Sequence, residues 1–240
     1  MSKPRRFKVE SLASLEPGAS VLLSPEESKH ARVLRLEAGT VVELFDGSGL
    51  AWRARLEPNG MSAELLAPLS GSTPERAPLW LATAWPKGKR AAILIEKCAE
   101  LGVARILPLR CARSVVTKDA GGEGLARLRR VAAEATKQCG RRDVPQLDDE
   151  RSFGAVLAEE APRAHAVLLD PGADRSWAEF VRERRTTAEP FLVFVGPEGG
   201  FSNEERRVVE QAGIPRARLG EHILRVETAC IAACAAWNCQ

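Results

Sequence analysis

The sequence predicts an α/β protein in two parts: a small β-barrel over residues 1–72 and a parallel sheet flanked by helices over residues 73–240. Three observations carry this prediction. The N-terminal part holds several short β-type segments and a single helix, the content of a small barrel. The remainder alternates apolar runs with helical stretches, the rhythm of a parallel sheet covered on both faces. One of those apolar runs, Phe191 to Val195, empties through a glycine-rich turn into a helix start.

The elements follow in order. Arg5, Arg6 and Lys8 read as a cationic arm, and Ser20 to Leu23 as a strand. Ser24-Pro25-Glu26-Glu27 opens a helix with an N-cap, proline at the first helical position and a carboxylate at N3. Lys29, His30, Arg32 and Arg35 are assigned to that helix. Strands are expected over Thr40–Phe45, Leu50–Leu56 and Ser62–Leu66, with Asp46-Gly47-Ser48-Gly49 as a hairpin turn. Gly71-Ser72-Thr73-Pro74 clusters turn residues and reads as the linker. Beyond it, strands are expected at Leu79–Trp85, Ala104–Leu109, Ala164–Leu169, Phe191–Val195 and Ala217–Leu219. The intervening helices are Lys89–Leu101, Leu125–Cys139, Ser176–Arg185, Asn203–Ala212 and Glu227–Trp237.

Composition narrows the function classes. Hydrophobic content of 45% and charged content of 28% are those of a soluble globular protein. No apolar run reaches the length of a membrane span, and the N-terminus lacks an apolar signal core, so a cytoplasmic location is expected. The six cysteines form no C-x-x-C pair and read as buried free thiols. His30, His165 and His222 lack metal-ligand spacing, so no metal site is expected. A net charge of +3 does not by itself indicate nucleic acid; only the placement of the cations can.

Two turns carry the chemistry. After Val195 come Gly196-Pro197-Glu198-Gly199-Gly200, then Ser202 as N-cap with Glu205 three residues on. Such a turn brings backbone N–H groups up to a ligand with no Cβ in the way. It is neither a P-loop nor a G-x-G-x-x-G cradle, and Glu198 would repel phosphate. It suits a ligand that is neutral or cationic there, such as a nucleoside bearing a sulfonium. The alternative is a plain strand–turn–helix connection. The second turn follows Leu219 and Gly220, where Ile223-Leu224 can clasp a flat base before the chain re-enters a helix at Glu227-Thr228. The alternative there is an ordinary core-plugging loop. Ligands of open parallel sheets sit beyond the carboxyl ends of the strands, which adds Leu169 with Asp170-Pro171-Gly172 as a third wall.

GPEGGFS-x-x-E, followed by LG-x-x-ILR-x-ETA, resembles the ribosomal small-subunit methyltransferase E family. That family is a branch of the SPOUT class of S-adenosylmethionine-dependent RNA methyltransferases. Further matches are His30–Leu36, Leu44–Gly47, Glu96–Gly102, and Gln138–Arg141 with Val144-Pro145. The chain departs from the family at Lys137, where glutamate is common, and ends at Gln240, where a longer last helix is expected. The resemblance implies a PUA-like N-terminal barrel that helps to hold RNA, a trefoil-knotted C-terminal domain and a homodimer. It also implies methylation of N3 of a uridine in small-subunit ribosomal RNA.

In that setting Leu169, Val195, Gly196, Pro197, Glu198, Gly199, Gly200, Leu219, Gly220, Ile223 and Leu224 are the cofactor-site candidates. Methyl transfer to N3 needs in-line placement and relief of the negative charge left on the deprotonated imide. Arg225 is the candidate for that charge, with Glu227 and Thr228 to orient it or accept the proton. The alternatives are a surface or dimer salt bridge for Arg225 and a helix N-cap for Thr228. Arg5, Arg6, Lys29, His30, Arg32, Arg35 and Arg141 are the RNA-binding candidates, with Arg127, Arg130 and Lys137 extending the last cluster along a helix. Solvated helix faces are the alternative for the cations, and packing under the helix for His30. The five tryptophans read as core. A methyltransferase of another RNA position, a non-catalytic RNA-binding protein and a nucleotide-using α/β enzyme are the competing functions; the missing phosphate motif weighs against the last.

Overall fold

The structure, a computed structural model, describes residues 4–70, 77–86, 88–115, 122–184 and 189–238. The proposed linker Gly71–Pro74 and Cys239 lie outside the described residues. The chain divides into two compact units, Met1–Pro74 with Thr136–Val144, and Glu75–Ala135 with Pro145–Gln240.

The first unit is built from β1 (Arg6–Lys8), β2 (Ser20–Leu22), α1 (Pro25–Val33), β3 (Val41–Phe45), β4 (Ala51–Leu56) and β5 (Ser62–Pro68). The strands form one sheet in the order β1-β3-β4-β5-β2, antiparallel except for β1 beside β3. Phe7, Leu12, Leu44, Ala54 and Leu65 fill its core. The cationic arm is therefore a strand: Phe7, between two basic residues, is fully buried, and burial fixes its neighbours in the ladder. Helix α1 starts as expected, with Ser24 Oγ accepting from the Glu27 N–H at 3.2 Å. It ends earlier than the basic spacing suggests. Arg35 adopts φ 52° and its N–H bonds the Arg32 carbonyl, while the Leu36 N–H reaches back to Ala31. This is a Schellman ending with arginine where glycine is usual, so Arg35 stands off the helix and does not continue the stripe of Lys29 and Arg32.

The second unit contains β6 (Leu79–Ala84), α2 (Arg90–Glu100), β7 (Val103–Arg110), most of α3 (Gly122–Cys139), β8 (Gln146–Leu147), β9 (Arg151–Ser152) and α4 (Phe153–Glu160). It continues with β10 (His165–Leu169), α5 (Trp177–Arg184), β11 (Phe191–Val195), α6 (Asn203–Gln211), β12 (Arg216–Ala217) and α7 (Val226–Asn238). The sheet order is β12-β10-β11-β6-β7-β8, with β9 also on β7, and every pair is parallel. Strand β11 lies inside the sheet and is buried along its whole length, which is why FLVFV shows no polar alternation. Trp177 and Trp237 pack on Phe191, and the Trp177 indole N–H donates to the Ala233 carbonyl at 3.1 Å. Strands β8 and β9 and helix α4 are additions to the expected elements. They lie around the polar run Asp148-Asp149-Glu150-Arg151-Ser152, which reads as loop because it carries no apolar period.

Register prepares the site. Leu169 at the end of β10 pairs with Val195 at the end of β11 and with Ala217 at the end of β12. Three chain segments thus leave the sheet side by side at its carboxyl edge.

Candidate functional site

The turns that leave this edge enclose a cavity of about 510 Å³, within the size range of small-ligand pockets. Leu169, Asp170, Pro171 and Gly172 form one wall. Val195 through Phe201 form the second, and Leu219, Gly220, His222, Ile223, Leu224, Val226 and Ala229 the third. Every residue named above as a cofactor-site candidate lies on this one surface.

The glycine turn is shaped by its neighbours. A Cβ on Gly196 would stand 3.0 Å from the Phe201 ring, which is itself buried, so any side chain there would press on that ring. Gly200 takes φ +66°, a left-handed conformation. Helix α6 then begins with a full capping box: Ser202 Oγ accepts from the Glu205 N–H at 3.2 Å, and Glu205 Oε2 accepts from the Ser202 N–H at 2.7 Å. The second oxygen of Glu205 accepts from the Ala112 N–H at 2.8 Å. Arg113 Nη1 donates to the Gly199 carbonyl at 2.8 Å. The loop after β7 thereby braces the turn, a contact across 86 residues of sequence that no local pattern signals. Cys111 in this loop is not a nucleophile: burial, reinforced by the Glu205 carboxylate, pushes its thiol up to about 12.

The polar end of the cavity escapes sequence reasoning. Asp170 is almost wholly buried; its Oδ1 accepts from the Gly172 N–H at 2.9 Å, and its Oδ2 from Arg206 Nε at 2.9 Å and Arg216 Nη1 at 3.3 Å. Burial alone would push this carboxyl up; the Gly172 N–H and the two guanidinium groups outweigh it and hold the group below its usual range. Arg206 and Arg216 both line the cavity.

On the third wall Ile223 is 84% exposed, beside the half-exposed Leu224. Two bulky apolar side chains held out at a pocket mouth leave surface for a flat ring to cover. Arg225, Glu227 and Thr228 do not line the cavity, although Leu224, Val226 and Ala229 between and beside them do. Arg225 and Thr228 are exposed. Glu227 Oε1 lies 3.4 Å from Arg90 Nε, while its Oε2 is buried without a hydrogen-bond partner among the described residues. Thr228 falls inside the first turn of α7, so the N-cap alternative for it does not hold.

The RNA-binding candidates separate into two groups. Arg5, Lys29, Arg32 and Arg35 are exposed. Arg6 and Arg141 are both engaged within the fold. Arg6 donates through Nε to Glu43 at 2.9 Å, through Nη1 to the Thr136 and Lys137 carbonyls at 3.2 Å, and through Nη2 to the Arg141 carbonyl at 2.7 Å. It also stacks over Phe45, 4.6 Å from the ring centre. Each of its three guanidinium nitrogens thus has a partner inside the protein. Arg141 is mostly buried and ion-paired with Asp143. His30 is half-packed, edge-on to Phe7, with Nδ1 3.1 Å from Lys137 Nζ. Lys137, the residue that departs from the family pattern, reaches both oxygens of buried Glu27 at 2.9 Å.

The cavity fits an adenosine-type methyl donor on its own chemistry. It offers apolar walls for a base, glycine-lined backbone free of side chains, a carboxylate at the turn and guanidinium groups at the Asp170 end. Comparison with known proteins agrees. Residues 73–238 match the model of an RNA methyltransferase domain, and residues 23–64 that of an RNA methyltransferase PUA domain. The chain is 30% identical over 200 residues to a ribosomal RNA small subunit methyltransferase E from Synechocystis, covering 82% of this chain and 65% of that protein. It is 30% identical over 223 residues to the enzyme of the same name from Mycobacterium bovis, covering 89% and 84%. Among solved structures, the ribosomal RNA small subunit methyltransferase E from Neisseria gonorrhoeae, bound to S-adenosyl methionine, superposes with TM-score 0.85 at 29% identity over 98% of this chain and 96% of that one. A protein from Legionella pneumophila in complex with SAM gives TM-score 0.85 at 28% identity over 99% and 98%. Domain models, sequence relatives and the curled sheet followed by a parallel α/β sheet agree: the chain belongs to the ribosomal RNA small-subunit methyltransferase E family of RNA methyltransferases.

Proposed function

We propose that this protein uses S-adenosylmethionine to methylate N3 of a uridine in small-subunit ribosomal RNA, working as a homodimer whose C-terminal domain is knotted. The observation that carries the reading is the convergence of two glycine turns, far apart in sequence, on one cavity with the end of β10. When bound, the donor supplies a methyl group already activated by its positive sulfur. The remaining tasks fall to the chain. Leu169, Val195, Leu219, Ile223 and Leu224 would hold the adenine, and backbone groups of the two turns would bond the base and the ribose. Glu198 would supply the negative charge that suits a cationic sulfur. Arg225 stabilises the uridine anion, which lowers the cost of losing the N3 proton. Glu227 Oε2, a buried acceptor with no partner among the described residues, takes that proton or fixes Arg225 in place. Arg5, Lys29, Arg32 and Arg35 bind RNA phosphates.

The test is mass spectrometry of ribosomal RNA from cells lacking this protein, followed by treatment of that RNA with purified protein and S-adenosylmethionine. A single N3-methyluridine should disappear from the small-subunit RNA and return on treatment. An unchanged set of methylated nucleosides would remove the assignment. A missing methyl group on another atom would move it within the class.

A further inference from the structure

We infer that Arg206 recognises the amino-acid carboxylate of the methyl donor and that Asp170 acts as the positioning residue that aims it. The inference rests on the S-adenosylmethionine reading of the cavity and adds to it the specific cation that reads the donor's tail. Arg206 lies in the first part of α6 and lines the cavity, with its side chain 32% exposed. Its Nε is taken by Asp170 Oδ2 at 2.9 Å, and the Asp170 carboxylate is only 5% exposed. A guanidinium held by Nε keeps its two terminal nitrogens as a planar fork. One of them hangs over the glycine turn: a Cβ on Gly200 would come within 3.8 Å of Arg206 Nη2.

Arg216, the second cation on the wall, is the poorer candidate. It is shared between Asp170 Oδ2 at 3.3 Å and Glu210 Oε1 at 3.4 Å. Arg206 is therefore the cation with an open fork, and a carboxylate is the anion that matches a planar fork in two parallel bonds. The same turn carries Glu198. A ligand with both a positive sulfur and a carboxylate satisfies the two charges at once, whereas an RNA phosphate approaching Arg206 would also meet the Glu198 charge.

The experiment is calorimetry on the full chain with S-adenosylhomocysteine and with its decarboxylated analogue, which keeps the adenosine, the thioether and the amine. Wild type should bind S-adenosylhomocysteine at least about tenfold more tightly than the analogue, the scale of a charge-assisted pair. Arg206→Gln should bring the two affinities to within about twofold while leaving the analogue's own affinity unchanged. Arg206→Lys should keep part of the difference, because it restores the charge without the fork. Binding of the analogue serves as proof that the variant pocket is folded. A tenfold preference that survives in Arg206→Gln overturns the inference. So does an equal loss for both ligands, which would make Arg206 a scaffold of the pocket. Equal binding of the two ligands by wild type also overturns it while leaving the methyl-donor reading intact. Failure of wild type to bind either ligand would instead defeat that reading first. If Arg206→Gln alters only the salt dependence of RNA binding, Arg206 belongs to the RNA and the inference is withdrawn.

Discussion

The glycine-turn cavity of the α/β unit and the basic surface of the barrel unit both stand out in the sequence, and the structure treats them differently. Every cofactor-site candidate lies on one cavity. Of the RNA-binding candidates, Arg6 bonds carbonyls within the fold, Arg141 is ion-paired with Asp143, and Arg35 lies past the end of the helix assigned to it. The difference is physical. A backbone-made site demands residues that are rare elsewhere, glycines without Cβ and a cap at a fixed offset, so its signal is local. A cation has many uses, and which one it serves depends on partners that sequence spacing does not reveal. Arg6 is occupied by carbonyls 130 to 135 residues away.

The strongest way to break this comparison is to put a side chain into the turn. Gly196→Val places a branched group against the buried Phe201 ring, where even a Cβ would stand at 3.0 Å. Overpacking of this kind costs about 1–3 kcal/mol, and here the strain falls on the turn that lines the cavity. S-Adenosylhomocysteine affinity measured by calorimetry should fall by about fivefold to a hundredfold, while RNA binding by the barrel unit persists. Wild-type affinity in this variant would mean that the turn is only a connection. Arg225→Ala is the next largest effect. Turnover should drop by about tenfold or more with the cofactor Kd within about twofold, because the residue lies off the cavity wall. A parallel loss of cofactor affinity would move Arg225 from the chemistry to the binding site.

The barrel unit offers a sharper contrast, since two kinds of arginine sit in one small fold. Arg6→Ala removes a fork from three carbonyls and leaves the half-buried Glu43 carboxylate without its ion-pair partner. Unfolding in urea should show a stability lower by about 2–3 kcal/mol, and the salt dependence of RNA binding should stay as it was. The double variant Arg32→Ala, Arg35→Ala should do the reverse. Stability should change by no more than about 0.5 kcal/mol per site. The slope of log affinity against log salt should flatten by about 0.7–0.9 for each phosphate that is no longer neutralised. If both variants move the same readout, the division between structural and ligand-facing cations fails.

The legible parts of the fold share one property: their determinants lie within a few residues of each other. Phe191–Val195 and the Ser202–Glu205 box are legible to the residue because burial and capping are short-range. Ser24 with Pro25 opens α1 for the same reason. The end of α1 is not legible. Arg35 adopts a left-handed conformation that glycine normally marks, so nothing in the sequence announces the stop. Strand β1 looks like an arm because its burial rests on one residue, Phe7, between cations. The apolar and glycine walls of the cavity can be read, whereas the roles of Arg206 and Arg216 on its wall and of Arg113 behind the glycine turn cannot. Each acts on a group 36 to 86 residues distant, across strands that only the fold brings together.

Asp170 gives the smallest and most specific test, because it lies where the two kinds of determinant meet. Its place at the end of β10 is legible, but its charge state is set by distant arginines. In the folded protein its pKa is lowered from the ordinary 3.8 despite burial, because the Gly172 N–H, Arg206 and Arg216 favour the ionised form. A group whose pKa falls on folding binds protons more readily in the unfolded chain, so its contribution to stability is complete above the unfolded pKa. That contribution is lost as pH drops through the folded value. The stability difference between wild type and Asp170→Asn should therefore be constant from about pH 5 to pH 8 and shrink below about pH 4. Unfolding curves at a series of pH values measure it directly. A difference that persists unchanged into acid would mean that the Asp170 carboxylate draws nothing from Arg206 and Arg216, and the polar end of the cavity would then be held together by packing alone.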